Sequence, residues 1–297
     1  MPASDSLSKA ALWMAGWLLL MVVIAVAGRQ AMRELAVFQV MELRSLIGLL
    51  MLYPLVRAHG GFATMKSGRL LQHAGRNAIH YASQYGWFAA LTMIPLAQVV
   101  AIEFTNPLWT ALLAVAFLGE RLNRWKVAAV LLGLIGVALI VRPATSGISA
   151  GQAIALAAAL GFAVSLIMVK SLTRTDDAVV IIFWMLIVQS LIGLLPALAV
   201  WRWPSATVWG WVGVIAFCGT FSHYCMTRAM QHAEATVVVP MDFLRVPMTA
   251  LAGWLIYAER IDAFTVLGTL LILSGNLLNL RRVGVAAAVV AAPKSAA

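Results

Sequence analysis

Charged and hydrogen-bonding side chains stand out in this sequence because they interrupt stretches that are otherwise apolar. Glu42 and Arg44 fall within Val37 to Val56, Glu103 within Ala97 to Leu118, and Asp242 with Arg245 within Ala235 to Tyr257. His80 and His223 lie in two further stretches of the same kind. Ionisable groups in an apolar span are expensive and mark substrate or proton pathways. Asp242 and Arg245 are three residues apart and can neutralise each other on one helical face. Glu42 and Arg44 are two apart and point to different faces, so each needs a partner on another helix. Glu103 has no base within reach on its own helix. A lone buried carboxyl favours its protonated form, which suits a proton relay or contact with a substrate ammonium; the alternative is a packing carboxyl bonded to a neighbouring helix. Arg245 could meet a substrate carboxylate. His80, Ser83, Gln84 and Tyr85 form a polar stripe, with Tyr81 one turn before Tyr85; a second stripe carries Thr220, His223, Tyr224 and Thr227. Matching stripes fit two walls of a central cavity, or hydrogen bonding between helices. The candidate substrate-binding set is therefore His80, Ser83, Gln84, Tyr85, Glu103, Asn106, His223, Tyr224, Asp242 and Arg245. Pro107, Pro240 and Pro247 each free a backbone carbonyl and are candidate hinges.

No nucleophile-base set, CxxC or HExxH is present, so neither catalytic residues nor a metal site or cofactor is expected. Cys218 and Cys225 are seven residues apart in one apolar segment, too far along a helix for a disulfide.

These residues need elements that the bilayer can hold. Of 297 residues, 63% are hydrophobic and 11% charged, and mean hydropathy is +0.93. Soluble domains carry about a quarter charged residues. Hydropathy predicts ten spans: Ala10 to Ala27, Val37 to Val56, Asn77 to Met93, Ala97 to Leu118, Trp125 to Val141, Ala150 to Leu172, Ala178 to Val200, Val208 to Met230, Ala235 to Tyr257 and Ile261 to Leu280. The first is read as an uncleaved span despite the Ala25-Val26-Ala27 sequence at its end. The tail, 284–297, is expected to be disordered. With both termini in the cytoplasm, 14 Lys and Arg fall on that side and five on the other, as the positive-inside rule requires. The net charge of +10 is thus a topology signal, and nucleic acid is not an expected partner. Trp201, Trp203, Trp209 and Trp211 suit an interfacial belt. The expected setting is an inner, plasma membrane with lipid as surroundings and no obligate protein partner.

Sliding the chain by 139 residues aligns it with itself. Glu103-Phe104 falls on Asp242-Phe243, Thr110-Ala111-Leu112 on Thr249-Ala250-Leu251, Glu120-Arg121 on Glu259-Arg260, and Gly136 on Gly275. Over Ala97 to Ile140, 14 of 44 positions are identical. Ser83-Gln84-Tyr85 aligns with Ser222-His223-Tyr224, and Ser45 to Leu50 recurs as Ser190 to Leu195 at a slightly different offset. The expected fold is all-α and integral to the membrane: two homologous halves, 10–143 and 150–283, of five helices each. Five is odd, so the halves insert with opposite topology, as in many secondary transporters. Two halves, each with a Pro-bearing fourth helix, then Glu-Arg, then a Gly-containing fifth helix, resemble the drug/metabolite transporter superfamily, EamA type. The carrying residues are Pro107, Glu120-Arg121 and Gly136, then Pro247, Glu259-Arg260 and Gly275; Pro247 sits one position off Pro107 in the repeat. Within that family the chain is most similar to the YddG-type exporters of amino acids, aromatic ones included. The resemblance implies export of amino acids or related small metabolites by alternating access, with other metabolites or organic cations as alternative cargo. An intramembrane enzyme is disfavoured, and without a GxxxxGK[ST] motif the chain does not itself hydrolyse ATP.

Overall fold

Ten α-helices account for nearly all the described residues, and no strand occurs among them. The computed structural model describes residues 3–106, 108–110, 112–113, 124–142, 147–172, 175–232, 241–242, 244–260 and 262–291. The helices are α1 (Ala3–Ala31), α2 (Val37–Ala58), α3 (Leu70–Met93), α4 (Leu96–Glu103), α5 (Arg124–Val141), α6 (Ala150–Leu172), α7 (Ala178–Ala199), α8 (Ala206–His232), α9 (Arg245–Tyr257) and α10 (Ala263–Ala291). Their starts follow from local chemistry. Ser149 and Gln152 form a reciprocal capping box at the head of α6. Ser205 accepts the Val208 amide at the head of α8, and Asp262 accepts the Phe264 and Thr265 amides at the head of α10. Burial works against ionisation of Asp262, but those bonds, the Thr265 hydroxyl and Arg142 hold its carboxyl below the usual range. Several span limits differ from the sequence reading: α1 and α3 begin at Ala3 and Leu70 rather than Ala10 and Asn77, and α9 is described from Arg245. The α4 segment stops at Glu103, with a turn at Phe104–Thr105. The last helix continues to Ala291, so 284–291 are helical where a disordered tail was expected; residues 292–297 lie outside the described residues.

The bundle presents large apolar side chains outward as well as to its core, and buries several polar ones. Leu71 is 88% exposed and Leu195 76%, while Gln39, Asn77 and Gln189 are wholly buried. That pattern belongs to a protein whose solvent is lipid. Among the described residues, four helical segments (Ser8–Ala31, Val37–Ala58, Ala150–Val169 and Val179–Ala199) are long and apolar enough to cross a bilayer, and three shorter apolar ones accompany them. Pairing of helices follows the repeat. The main contacts are α1 with α8, α3 with α6, α2 with α7, α4 with α9, and α5 with α10. Adding five to each label turns α1–α8 into α6–α3 and exchanges the members of the other three pairs, so a pseudo-two-fold axis relates the halves. Glycines mark the closest approaches. A Cβ on Gly136 of α5 would fall 2.5 Å from the Gly268 carbonyl of α10, and one on Gly268 would fall 2.5 Å from the Gly136 carbonyl. The nearest atom on each side is backbone, with the Ile272 and Ile140 side chains close behind, so a Cβ at either glycine would force the helices apart.

Candidate functional site

Two polar clusters lie inside the bundle, and the repeat builds both. The first forms where α4 and α9 are interrupted. The turn in α4 includes Thr105 and the turn before α9 includes Leu244, positions separated by the repeat offset of 139. Discontinuous helices at repeat-related positions are where transporters place binding groups. Glu103 ends α4, and Arg245 opens α9. Arg245 Nη1 donates to Glu103 Oε1 at 3.0 Å and Nη2 to Asp242 Oδ2 at 3.3 Å. Each carboxylate also receives an indole: Trp87 Nε1 reaches Glu103 Oε2 at 2.9 Å, and Trp17 Nε1 reaches Asp242 Oδ1 at 2.6 Å. The guanidinium lies 4.9 Å from the centre of the Phe104 ring. Glu103 is therefore not a lone carboxyl. Its base comes from the other half of the molecule, which spacing within one helix could not reveal. The cluster holds two carboxylates and one guanidinium, one negative charge in excess when all are ionised. Pro247 is the third residue of α9, within the first turn, where a missing N–H costs nothing. Pro107 and Pro240 lie outside the described residues.

The second cluster centres on Arg44. Its Nη2 donates to Gln84 Oε1 at 2.9 Å and to Gln189 Oε1 at 3.0 Å. Arg44 and Gln189 immediately precede the two Ser-Leu-Ile-Gly-Leu-Leu segments, so they are repeat mates meeting on the pseudo-two-fold axis. Arg44, His80, Gln84, Met185, Leu186 and Thr220 line a cavity of about 40 Å³, room for a water or two. A wider open depression of about 490 Å³, lined by Arg33, Glu34, Arg202 and Trp211 among others, lies where the α1–α2 connection meets the start of α8.

The expected stripe on α3 divides. His80 and Gln84 face the cavity. Ser83 instead donates to the Ile79 carbonyl and packs on Gly161 of α6, and the Tyr85 ring lies 4.5 Å from that of Phe38. Asn106 accepts from the Thr110 hydroxyl. His223 and Tyr224 are helical, but their side chains lie outside the described residues. Gln189, Trp17 and Arg44 were absent from the expected binding set. The SLIGLL repeat held the signal for Gln189, since its neighbour in the other half is an arginine. Among the described residues, Glu42 found no hydrogen-bond partner on another helix. Both its oxygens are buried and unbonded.

Both ends of the bundle are tied. At one, Arg29 of α1 bonds Glu259 and the Leu91 and Ile94 carbonyls, while Glu259 also accepts the Leu96 amide at 2.9 Å. At the other, Asp176 accepts from Ser67 and pairs with His73, each at 2.6 Å. Burial works against the charge on Asp176, but hydrogen bonds from Ser67, His73 and Thr175 hold its carboxyl below the usual range.

Inverted helical halves around buried charge define a class, the membrane transporters of small molecules. The chain belongs to the EamA-like transporter family, whose model matches residues 8–142 and 149–281. It is 27% identical over 268 residues to an S-adenosylmethionine uptake transporter of Rickettsia felis, covering 88% of this chain and 90% of that one. It is 30% identical to a riboflavin transporter of Rhizobium johnstonii over 74% of each chain. It is 28% identical to the pseudopaline exporter CntI of Pseudomonas aeruginosa, covering 82% and 86% respectively. A solved crystal structure shares the fold with a TM-score of 0.63 at 20% identity, covering 93% of this chain and 99% of the other. The relatives carry small metabolites; their names do not single out the amino-acid exporters that the sequence resembles.

Proposed function

We propose that this protein is a secondary transporter that exports small zwitterionic metabolites, amino acids and their derivatives, across the inner membrane by alternating access. The observation that supports this reading is the separation of charge between the two interior clusters. The Glu103–Asp242–Arg245 cluster carries excess negative charge and suits an ammonium, while Arg44, whose described partners are the neutral Gln84 and Gln189, suits a carboxylate. Arg245, expected from sequence to take the carboxylate, is already engaged by two acidic side chains, so that role passes to Arg44. S-adenosylmethionine, cargo of one relative, bears an amino-acid head of this kind; riboflavin bears neither charged group.

The test is flux in liposomes reconstituted with the purified protein, using labelled methionine, phenylalanine, lysine, S-adenosylmethionine and riboflavin. Saturable movement of the charged compounds, with no competition from riboflavin, is expected. Arg44→Gln should raise KM for methionine about ten-fold or more, the value of a charge-assisted hydrogen bond, and leave competition by the decarboxylated amine nearly unchanged. Movement of riboflavin alone would overturn the zwitterion reading. Inward movement only, in vesicles of known protein orientation, would overturn export.

A further inference from the structure

We infer that Glu42 is a proton-binding site that couples transport to a pH gradient, an inference that rests on the transporter reading but on a different residue from those assigned to substrate. Glu42 lies on α2, 1% exposed. Neither carboxylate oxygen has a hydrogen-bond partner among the described residues. Arg44, two residues on, turns its guanidinium to Gln84 and Gln189 instead. Across from Glu42, α7 carries Gly193. A Cβ there would fall 2.7 Å from Glu42 Oε2 and 2.8 Å from the Tyr81 hydroxyl. The two oxygens therefore converge on a spot that α7 leaves without a side chain. The Tyr81 hydroxyl is likewise buried and unbonded.

Among the described residues, the surroundings offer no fixed charge to neutralise Glu42. Facing α2, α7 contains no titratable residue between Ala178 and Ala199. From α3 come Tyr81, Tyr85 packed at a tilt against Phe38, and His80, which lines the Arg44 cavity. Among the described side chains of α8, Cys225 packs on Gly16 and Arg228 lies over Trp13, both on α1, while Cys218 is in the core. An ionised carboxylate whose acceptor positions are unmatched by the described side chains is strongly disfavoured at a buried site. The neutral acid fits the pocket as it stands, and the Tyr81 hydroxyl beside it is a donor and acceptor through which the proton can leave. Glu103 and Asp242, by contrast, have their charges matched by Arg245 and the two indoles.

The experiment uses the full-length protein in liposomes, with labelled methionine and phenylalanine as probes. For one proton per substrate, a gradient of one pH unit shifts steady-state accumulation by up to about ten-fold. Glu42→Gln keeps the shape of the neutral acid. It should retain exchange of labelled for unlabelled substrate across the membrane while the effect of the gradient disappears. A gradient effect that survives in Glu42→Gln overturns the proposal. So does wild-type flux indifferent to pH gradients of either sign. A second readout needs no substrate: the infrared carbonyl stretch of a protonated carboxyl in the purified protein at neutral pH, missing in Glu42→Gln. A wild-type spectrum without that band overturns the proposal on its own. If the band is present but neither probe moves, the amino-acid reading fails while the protonated Glu42 stands.

Discussion

Arg245 shows what a single residue decides when its partners come from both halves of a repeat. It is 4% exposed and holds Glu103 on α4 and Asp242 just before α9. Removing one side of a buried ion pair costs about 3–5 kcal/mol because the charge left behind is uncompensated. Arg245→Leu should therefore lower the unfolding midpoint in detergent sharply, and adding Glu103→Gln and Asp242→Asn should recover most of the loss. Single and triple variants that unfold together would show that the cluster is not held by charge. The Asp242–Arg245 contact was legible from their spacing of three. The Glu103–Arg245 contact was not, because it joins residues 142 positions apart and no rule of local periodicity reaches that far. The same limit applies to the two indoles. Trp is expected to pack or face lipid, and only the assembled bundle brings Trp17 and Trp87 to the carboxylates.

The elements carry the next level of constraint, because several of their ends are finished by other helices. The head of α4 is the clearest case. It follows Pro95 and has no side-chain cap of its own; the Leu96 amide is accepted by Glu259, which follows α9. Glu259 also holds Arg29, whose guanidinium lies 4.8 Å from the centre of the Tyr257 ring. One carboxylate thus closes α1, α4 and α9 at this end of the bundle. Glu259→Ala should open it. With a cysteine placed as Ile94→Cys, the labelling rate by an impermeant thiol reagent should rise about ten-fold or more, the value of a lost charge-assisted hydrogen bond. The native Cys218 and Cys225 are buried and leave little background. An unchanged rate would place the barrier to opening elsewhere. Hydropathy located the helices well because the apolar runs are long. It missed the interruptions in α4 and before α9, since Phe104 and Leu244 are as apolar as the residues around them and a turn in lipid leaves no mark on hydropathy.

At the scale of the whole molecule, the pseudo-two-fold axis makes a prediction that no single half could support. The self-alignment of the sequence foretold two halves. It did not show that repeat mates would touch, because that depends on where the axis passes. Arg44 and Gln189 are such mates, and they bond each other at 3.0 Å. Gly48 and Gly193 are another such pair: Gly48 on α2 faces Leu186 and Thr220, and Gly193 on α7 faces Glu42 and Tyr81. Tyr81 and Thr220 are themselves separated by the offset of 139, so the packing around the axis repeats with its members exchanged. A guanidinium supplied from α7 should then reach nearly the same point as one supplied from α2. Arg44→Gln alone removes the buried cation and should raise KM for methionine, lowering flux at sub-saturating substrate. Gln189→Arg alone would place two like charges on the axis, which costs stability in a low-dielectric interior. The double exchange, Arg44→Gln with Gln189→Arg, restores one guanidinium facing one glutamine. It should recover stability relative to Gln189→Arg and a measurable part of the flux lost in Arg44→Gln. Recovery would be incomplete, because the mate of Gln84 is His223 and the second acceptor differs between the halves. The deciding comparison is the coupling between the two substitutions in a double-mutant cycle. A coupling near zero would mean that the halves meet near Arg44 without the equivalence that the repeat implies. A strong favourable coupling would place the substrate carboxylate on the axis, where both halves can reach it as the transporter alternates.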